Sequence, residues 1–122
     1  MNSFSLTKQI KSIKYALTGL KWLLIEEHNS RIHLFATLSA IACGFVFKIS
    51  LTEWLIVIFL IGFVFTLEAI NTVIENMLDF ISTERNTKIE KIKDISAAAV
   101  LLSSLTAAII GLLIFIPKMI PL

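Results

Sequence analysis

The chain reads as one amphipathic stretch followed by three long apolar runs. Leu34–Phe47 carries no charge and is flanked by His33 and Lys48. Trp54–Leu67 is likewise uncharged, then meets Glu68 and keeps helical spacing as far as Phe80. Ile95–Ile116 is the longest uncharged run of the three and stops at Pro117. No segment alternates with a period of two, and lipid is crossed only by helices or closed barrels, so the pattern predicts helices. A spanning helix needs about 20 apolar residues, with a range near 17–25. The third run meets that length alone. The first two meet it if their polar ends reach the interface or a protein interior. The reading is an all-α membrane protein with spans at about 32–48, 53–80 and 94–116, each near the required ~20 residues or longer.

The stretch before these runs, about 5–27, differs in kind. At about 100° per residue, Ile10, Ile13, Leu17, Leu20 and Leu24 fall within roughly an 80° arc. A second stripe carries Lys8, Lys11, Tyr15, Thr18 and Trp22. A basic, aromatic face opposite an apolar one suits a helix lying in the membrane surface. An ordinary bundle helix packed on the three spans is the alternative. With 122 residues and no internal repeat or low-complexity linker, positions 1–122 read as a single domain. A chain this small encloses little by itself, so an oligomer is expected.

Composition strengthens the membrane reading. Apolar residues make up 57%, against about 45–50% in soluble domains. The formal net charge of +2 is too small to suggest a nucleic-acid partner. The lone cysteine, Cys43, lies in an apolar run, reads as a small buried apolar residue, and leaves no Cys/His metal spacing. No cleavable signal peptide is evident. Basic residues are distributed unevenly. Lys8, Lys11, Lys14, Lys21 and Arg31 precede the first span, and Arg85, Lys88, Lys91 and Lys93 lie between the second and third. Only Lys48 and Lys118 fall on the other side. By the positive-inside rule the N-terminus and the 80–94 loop are cytoplasmic, in a multi-pass protein of a bacterial inner or plasma membrane.

The candidate chemistry lies on the second span. On a helical wheel Asn71 and Glu75 fall to one side of Glu68, and Thr72 and Asp79 to the other, all within an arc of about 100°. An ionisable side chain inside a membrane is a functional hypothesis by default, and Glu68 is bracketed by Phe65, Leu67, Ala69 and Ile70. Solvation in the headgroup zone is an equally good account of Asp79. Glu68 and Glu75 stand about 10 Å apart along the axis, too far to share one small ion. The deeper Glu68 can take a proton from a lipid hydroxyl. The shallower Glu75 can hold Mg²⁺ with nucleotide phosphates, since Mg²⁺ takes only one or two carboxylates beside phosphate oxygens. Glu26/Glu27 is the second carboxylate source. Lys93 can place a point charge on a phosphate, and Asp94 either joins it or caps the third span. No glycine-rich phosphate loop is present. His28 and His33 are spaced wrongly for a metal pair, which leaves structural or interfacial roles for both.

These residues resemble a known family. Glu68-Ala69-Ile70-Asn71-Thr72-Val73-Ile74-Glu75 with Asp79 is similar to the E-x-x-N-S/T-x-I/V-E-x-x-x-D signature of bacterial integral-membrane diacylglycerol and undecaprenol kinases. Lys93-Asp94 with Ala97-Ala98-Ala99-Val100-Leu101 resembles that family's A-K-D-x-x-A-A-A-V-L stretch. The segment from Glu27 through Asn29 to His33 resembles the E-x-N-x-x-x-H segment of the undecaprenol-kinase-like branch. The resemblance implies a homotrimer and MgATP-dependent phosphorylation of a lipid alcohol, undecaprenol ahead of diacylglycerol. It implies Glu68 as general base, Glu27 and Glu75 as ligands of Mg²⁺ and ATP, and Asn71 and Asp79 in support. It further implies ATP contacts from Lys8, Tyr15, Glu84, Asn86, Lys93 and Asp94, in a site assembled between protomers. Glu84-Arg85-Asn86 departs from the family pattern, where a His commonly follows the acid. A non-catalytic membrane scaffold and a small ion-conducting oligomer lined by Glu68 are the rival readings.

Overall fold

The structure, a computed structural model, describes residues 5–84 and 86–120. It contains α1 (Leu6–Glu26), α2 (His28–Val46), α3 (Leu51–Ile81) and α4 (Thr87–Met119). Among the described residues there is no strand. Arg85, counted above with the basic residues of its loop, lies outside the described residues.

A single extended residue, Glu27 (φ −99°, ψ 114°), separates α1 from α2. Ser5 caps α1 by accepting from the Lys8 backbone N–H. Along α1 the predicted apolar stripe is present but unpartnered: Ile10, Ile13, Leu17 and Leu20 are all exposed, and Leu23 alone on this helix is buried. An amphipathic helix with an open apolar face suits the membrane surface.

α2 ends where its chain turns back. Lys48 adopts the left-handed conformation (φ 50°). Its N–H donates to the Phe45 carbonyl at 3.3 Å, and the Ile49 N–H reaches back to Gly44 at 3.1 Å. This pair of bonds satisfies carbonyls the helix end leaves free, in the Schellman pattern. Ser50 and Glu53 then open α3 with reciprocal side-chain-to-backbone bonds of 3.2 and 2.9 Å. The Trp54 ring sits against Gly44 so closely that a Cβ there would come within 2.5 Å of it. Gly44→Ile is therefore expected to lower stability by about 1–3 kcal/mol, the usual cost of overpacking, read as a lower melting temperature in detergent.

α3 packs chiefly on α4. Val57, Leu60, Val64 and Glu68 form its buried stripe. α4 is rich in Ala and Ser, which permits close helix approach, and buries Ser103. The ends away from the 82–86 loop are tied by Lys118 Nζ to Glu53 Oε1 at 3.1 Å and by Phe47 beside Phe115.

The ends of α4 lie beyond its apolar run, and one alternative for Asp94 is ruled out. Asp94 does not cap it: α4 begins at Thr87, and Asn86 is the cap, accepting from the Lys88 N–H at 2.8 Å. The polar residues before Asp94 extend the helix, because a helix need not stop where its apolar run does. Nor does Pro117 end α4, which continues to Met119. Proline gives up its own N–H bond and crowds the carbonyl four residues before it, and α4 continues only two residues past it. α3 and α4 are each long and apolar enough to cross a membrane. α2 begins with the polar run His28-Asn29-Ser30-Arg31, which leaves it a shorter apolar stretch.

Candidate active site

The site grows from the antiparallel seam of α2 and α3, joined through the tight 47–50 turn. Glu68 is only 3% exposed. Its Oε2 lies 2.9 Å from His33 Nδ1 on α2, and His33 Nε2 lies 3.4 Å from Ser104 Oγ on α4. Both contacts are satisfied when Nδ1–H donates to the carboxylate and Nε2 accepts from the Ser104 O–H. Thr72 Oγ1 donates to the Glu68 carbonyl at 3.0 Å. The other carboxylate oxygen, Oε1, is buried without a hydrogen-bond partner. A buried unpaired carboxylate oxygen is costly, and such an atom calls for an explanation.

Further unpaired atoms lie one turn away. Ser30 is three residues before His33, and Asn71 three residues after Glu68. In antiparallel helices both steps lead the same way, about 4.5 Å along the axes. Ser30 Oγ and Asn71 Oδ1 are buried and unpartnered as well. One turn beyond stand Glu27 and Glu75. Burial raises the Glu27 pKa above its ordinary value, and the charges of Glu75, Glu68 and Glu26 push the same way. The seam is thus a ladder: His33 with Glu68, Ser30 level with Asn71, Glu27 beside Glu75.

Asp79, farther along α3, is claimed by α4. Its Oδ1 accepts from Lys93 Nζ at 2.5 Å. The pair is partly exposed, so solvent screening keeps its contribution to stability small. It does bring Lys93 beside the end of the carboxylate stripe. Among the described residues no three His, Cys, Asp or Glu side chains are grouped to hold a metal. Two carboxylates whose mutual repulsion raises a pKa do fit a hard cation that takes its remaining ligands from phosphates.

The other residues singled out in the sequence are more scattered. Asp94 and Glu84 are exposed. The side-chain oxygen of Asn86 is occupied by capping. Tyr15 is 74% exposed, and Lys8 stands about 28 Å along α1 from Glu27. Reading the sequence does not bring His33, Ser30 or Ser104 into the site. Spacing sets His33 against His28, five residues away, whereas its partner lies 35 positions on. Its place in the Glu27-to-His33 motif is the available signal.

Comparison with known proteins identifies the family. Residues 14–115 match the family described as prokaryotic diacylglycerol kinase. The chain is 37% identical over 114 residues to undecaprenol kinase of Bacillus subtilis (strain 168), covering 93% of each. It is 28% identical over 112 residues to diacylglycerol kinase of Synechocystis sp., covering 91% of this chain and 64% of that one. The match spans the α2–α3 ladder and α4 up to Phe115, and the chain belongs to the prokaryotic diacylglycerol kinase family of membrane lipid kinases.

Proposed function

We propose that this lipid kinase transfers the γ-phosphoryl group of ATP to the hydroxyl of a membrane lipid alcohol at the cytoplasmic face, and that undecaprenol is preferred to diacylglycerol. The buried, unpartnered Oε1 of Glu68 carries this reading. The lipid O–H donates to Oε1. Its oxygen attacks the γ-phosphorus, the bond to the bridging oxygen breaks, ADP leaves, and the proton stays on Glu68. Glu27 and Glu75 would hold Mg²⁺, which offsets phosphate charge when bound. Lys93 adds a positive charge, held near by Asp79. Asn71 supports the site from the middle of the ladder.

Depth is consistent with these roles. If the Glu53–Lys118 pair marks the outer interface, Glu68 lies about 22 Å inward along α3, and Glu75 about 33 Å. With a hydrocarbon core of about 30 Å, Glu68 is at the inner margin of the lipid and Glu75 is among the headgroups. A lipid hydroxyl and a nucleotide meet between those levels. The N-terminus and the 80–94 loop are then cytoplasmic, α2 crosses with α3 and α4, and α1 lies on the surface. A homotrimer is supported by the open faces of the single chain, in which α4 buries only Ser103 among its described residues.

The acceptor preference rests on the 37% identity to an undecaprenol kinase and on the Glu27-to-His33 segment. It is tested by labelled-ATP transfer in detergent micelles carrying either lipid. Undecaprenol is expected to be the better acceptor by kcat/KM. Preference for diacylglycerol overturns the substrate assignment, and transfer to neither overturns the kinase reading.

A further inference from the structure

A carboxylate that serves as a base must offer one particular oxygen, and a free carboxylate has two equivalent ones. Glu68 is in an apolar stretch where no bulk water holds it in orientation. What holds it is His33, whose Nδ1 contacts Oε2 at 2.9 Å and so leaves Oε1 as the open atom. His33 is held in turn. Ser104 Oγ approaches Nε2 at 3.4 Å, and the Phe65 ring meets the imidazole edge to face at 6.4 Å. A hydroxyl donating to Nε2 leaves the proton on Nδ1, the tautomer that can donate to a carboxylate. α2, α3 and α4 each contribute one member to this chain.

We propose that His33 is a positioning residue: it aims Oε1 of Glu68 at the lipid hydroxyl, and Ser104 fixes the imidazole tautomer that permits this. The proposal rests on the lipid kinase reading with Glu68 as proton acceptor. His33 does not touch the reacting atoms. Partners that orient metal ligands through hydrogen bonds typically matter about 10–100-fold, and an effect of that order is expected for a partner that orients a base. Its loss falls on kcat and not on the KM for ATP, because the nucleotide is held about 10 Å away along α3.

The experiment compares His33→Ala, His33→Asn, His33→Gln and Ser104→Ala in the full chain in micelles, with kcat, the KM for ATP and the melting temperature measured on each. Asparagine can place an amide N–H where Nδ1–H stood. Glutamine places its amide nearer the position of Nε2. His33→Ala is expected to lower kcat about 10–100-fold with the KM for ATP little changed. Asn is expected to restore most of that loss, while Gln stays near the Ala value. Ser104→Ala loses less, in the same direction. Asn and Gln are both neutral and similar in size, so a purely structural role for His33 predicts equal kcat in the two. That result, or wild-type kcat in His33→Ala, overturns the proposal while the kinase reading stands. A wild-type protein that phosphorylates neither lipid overturns both.

Discussion

Glu68→Gln is expected to abolish measurable lipid phosphorylation while MgATP still binds. The exchange keeps the size of the side chain and a contact with His33, but removes the group that accepts a proton. General base contributions are commonly about 10²–10⁴-fold, and here the base is the only acid in the buried stripe of α3. Nucleotide affinity is expected to survive because Glu68 is about 10 Å along the helix from Glu75. Neutralising Glu68 also removes one of the charges that raise the Glu27 pKa, so metal-free protein is expected to tolerate the change or gain stability. Steady-state transfer and an MgATP titration on the same preparation check this. Turnover near wild type would sink the assignment of Glu68 as the base.

Glu75→Gln and Glu27→Gln are expected to act on the nucleotide side instead. Each removes a carboxylate from the pair that fits a divalent cation, and each is expected to weaken MgATP binding at least about tenfold, or about 1.4 kcal/mol. The pH dependence has a definite sign. Glu27 has a raised pKa, from burial first and then from Glu75, Glu68 and Glu26. A carboxyl with a raised folded-state pKa supports stability below its ordinary value, and that support is lost as pH rises through the raised one. Metal-free protein is therefore expected to lose stability as pH climbs from the ordinary carboxylate range toward neutrality. Bound Mg²⁺ favours the ionised carboxylates, so the rise in melting temperature on adding Mg²⁺ should grow over the same interval. Glu27→Gln should flatten both trends. Melting curves with and without Mg²⁺ at pH 5 and pH 7 provide the check, and an unchanged Mg²⁺ effect in both variants would rule out the pair as the ion's ligands.

Much of this protein was legible in its residue order because lipid imposes strict local rules. Apolar runs of membrane length and the absence of any two-residue alternation left helices as the solution. Seven-residue spacing put Glu68 and Glu75 on one face, because side chains on a continuous helix are placed by angle alone. The amphipathic stripe of α1 was equally visible for that reason. Helix ends were less so: Asn86 starts α4 two turns before its apolar run, and Pro117 lies inside the last turn. Caps depend on a few short-range bonds that hydropathy does not register.

What only tertiary structure decided is which atoms of the stripe are free. The wheel gives direction but not partners, so it left solvation and a functional role equally open for Asp79. Packing separates the two acids: Asp79 is paired with Lys93, while Glu68 is held on one oxygen and open on the other. His33, Ser104 and Ser30 entered the site for the same reason. Their partners lie on other helices, at separations such as the 35 positions from His33 to Glu68, and helical periodicity carries no information across a turn. The sequence alone determined where a polar stripe must run. The fold determined which oxygen on it lacks a partner, because that depends on what two neighbouring helices bring to the same level.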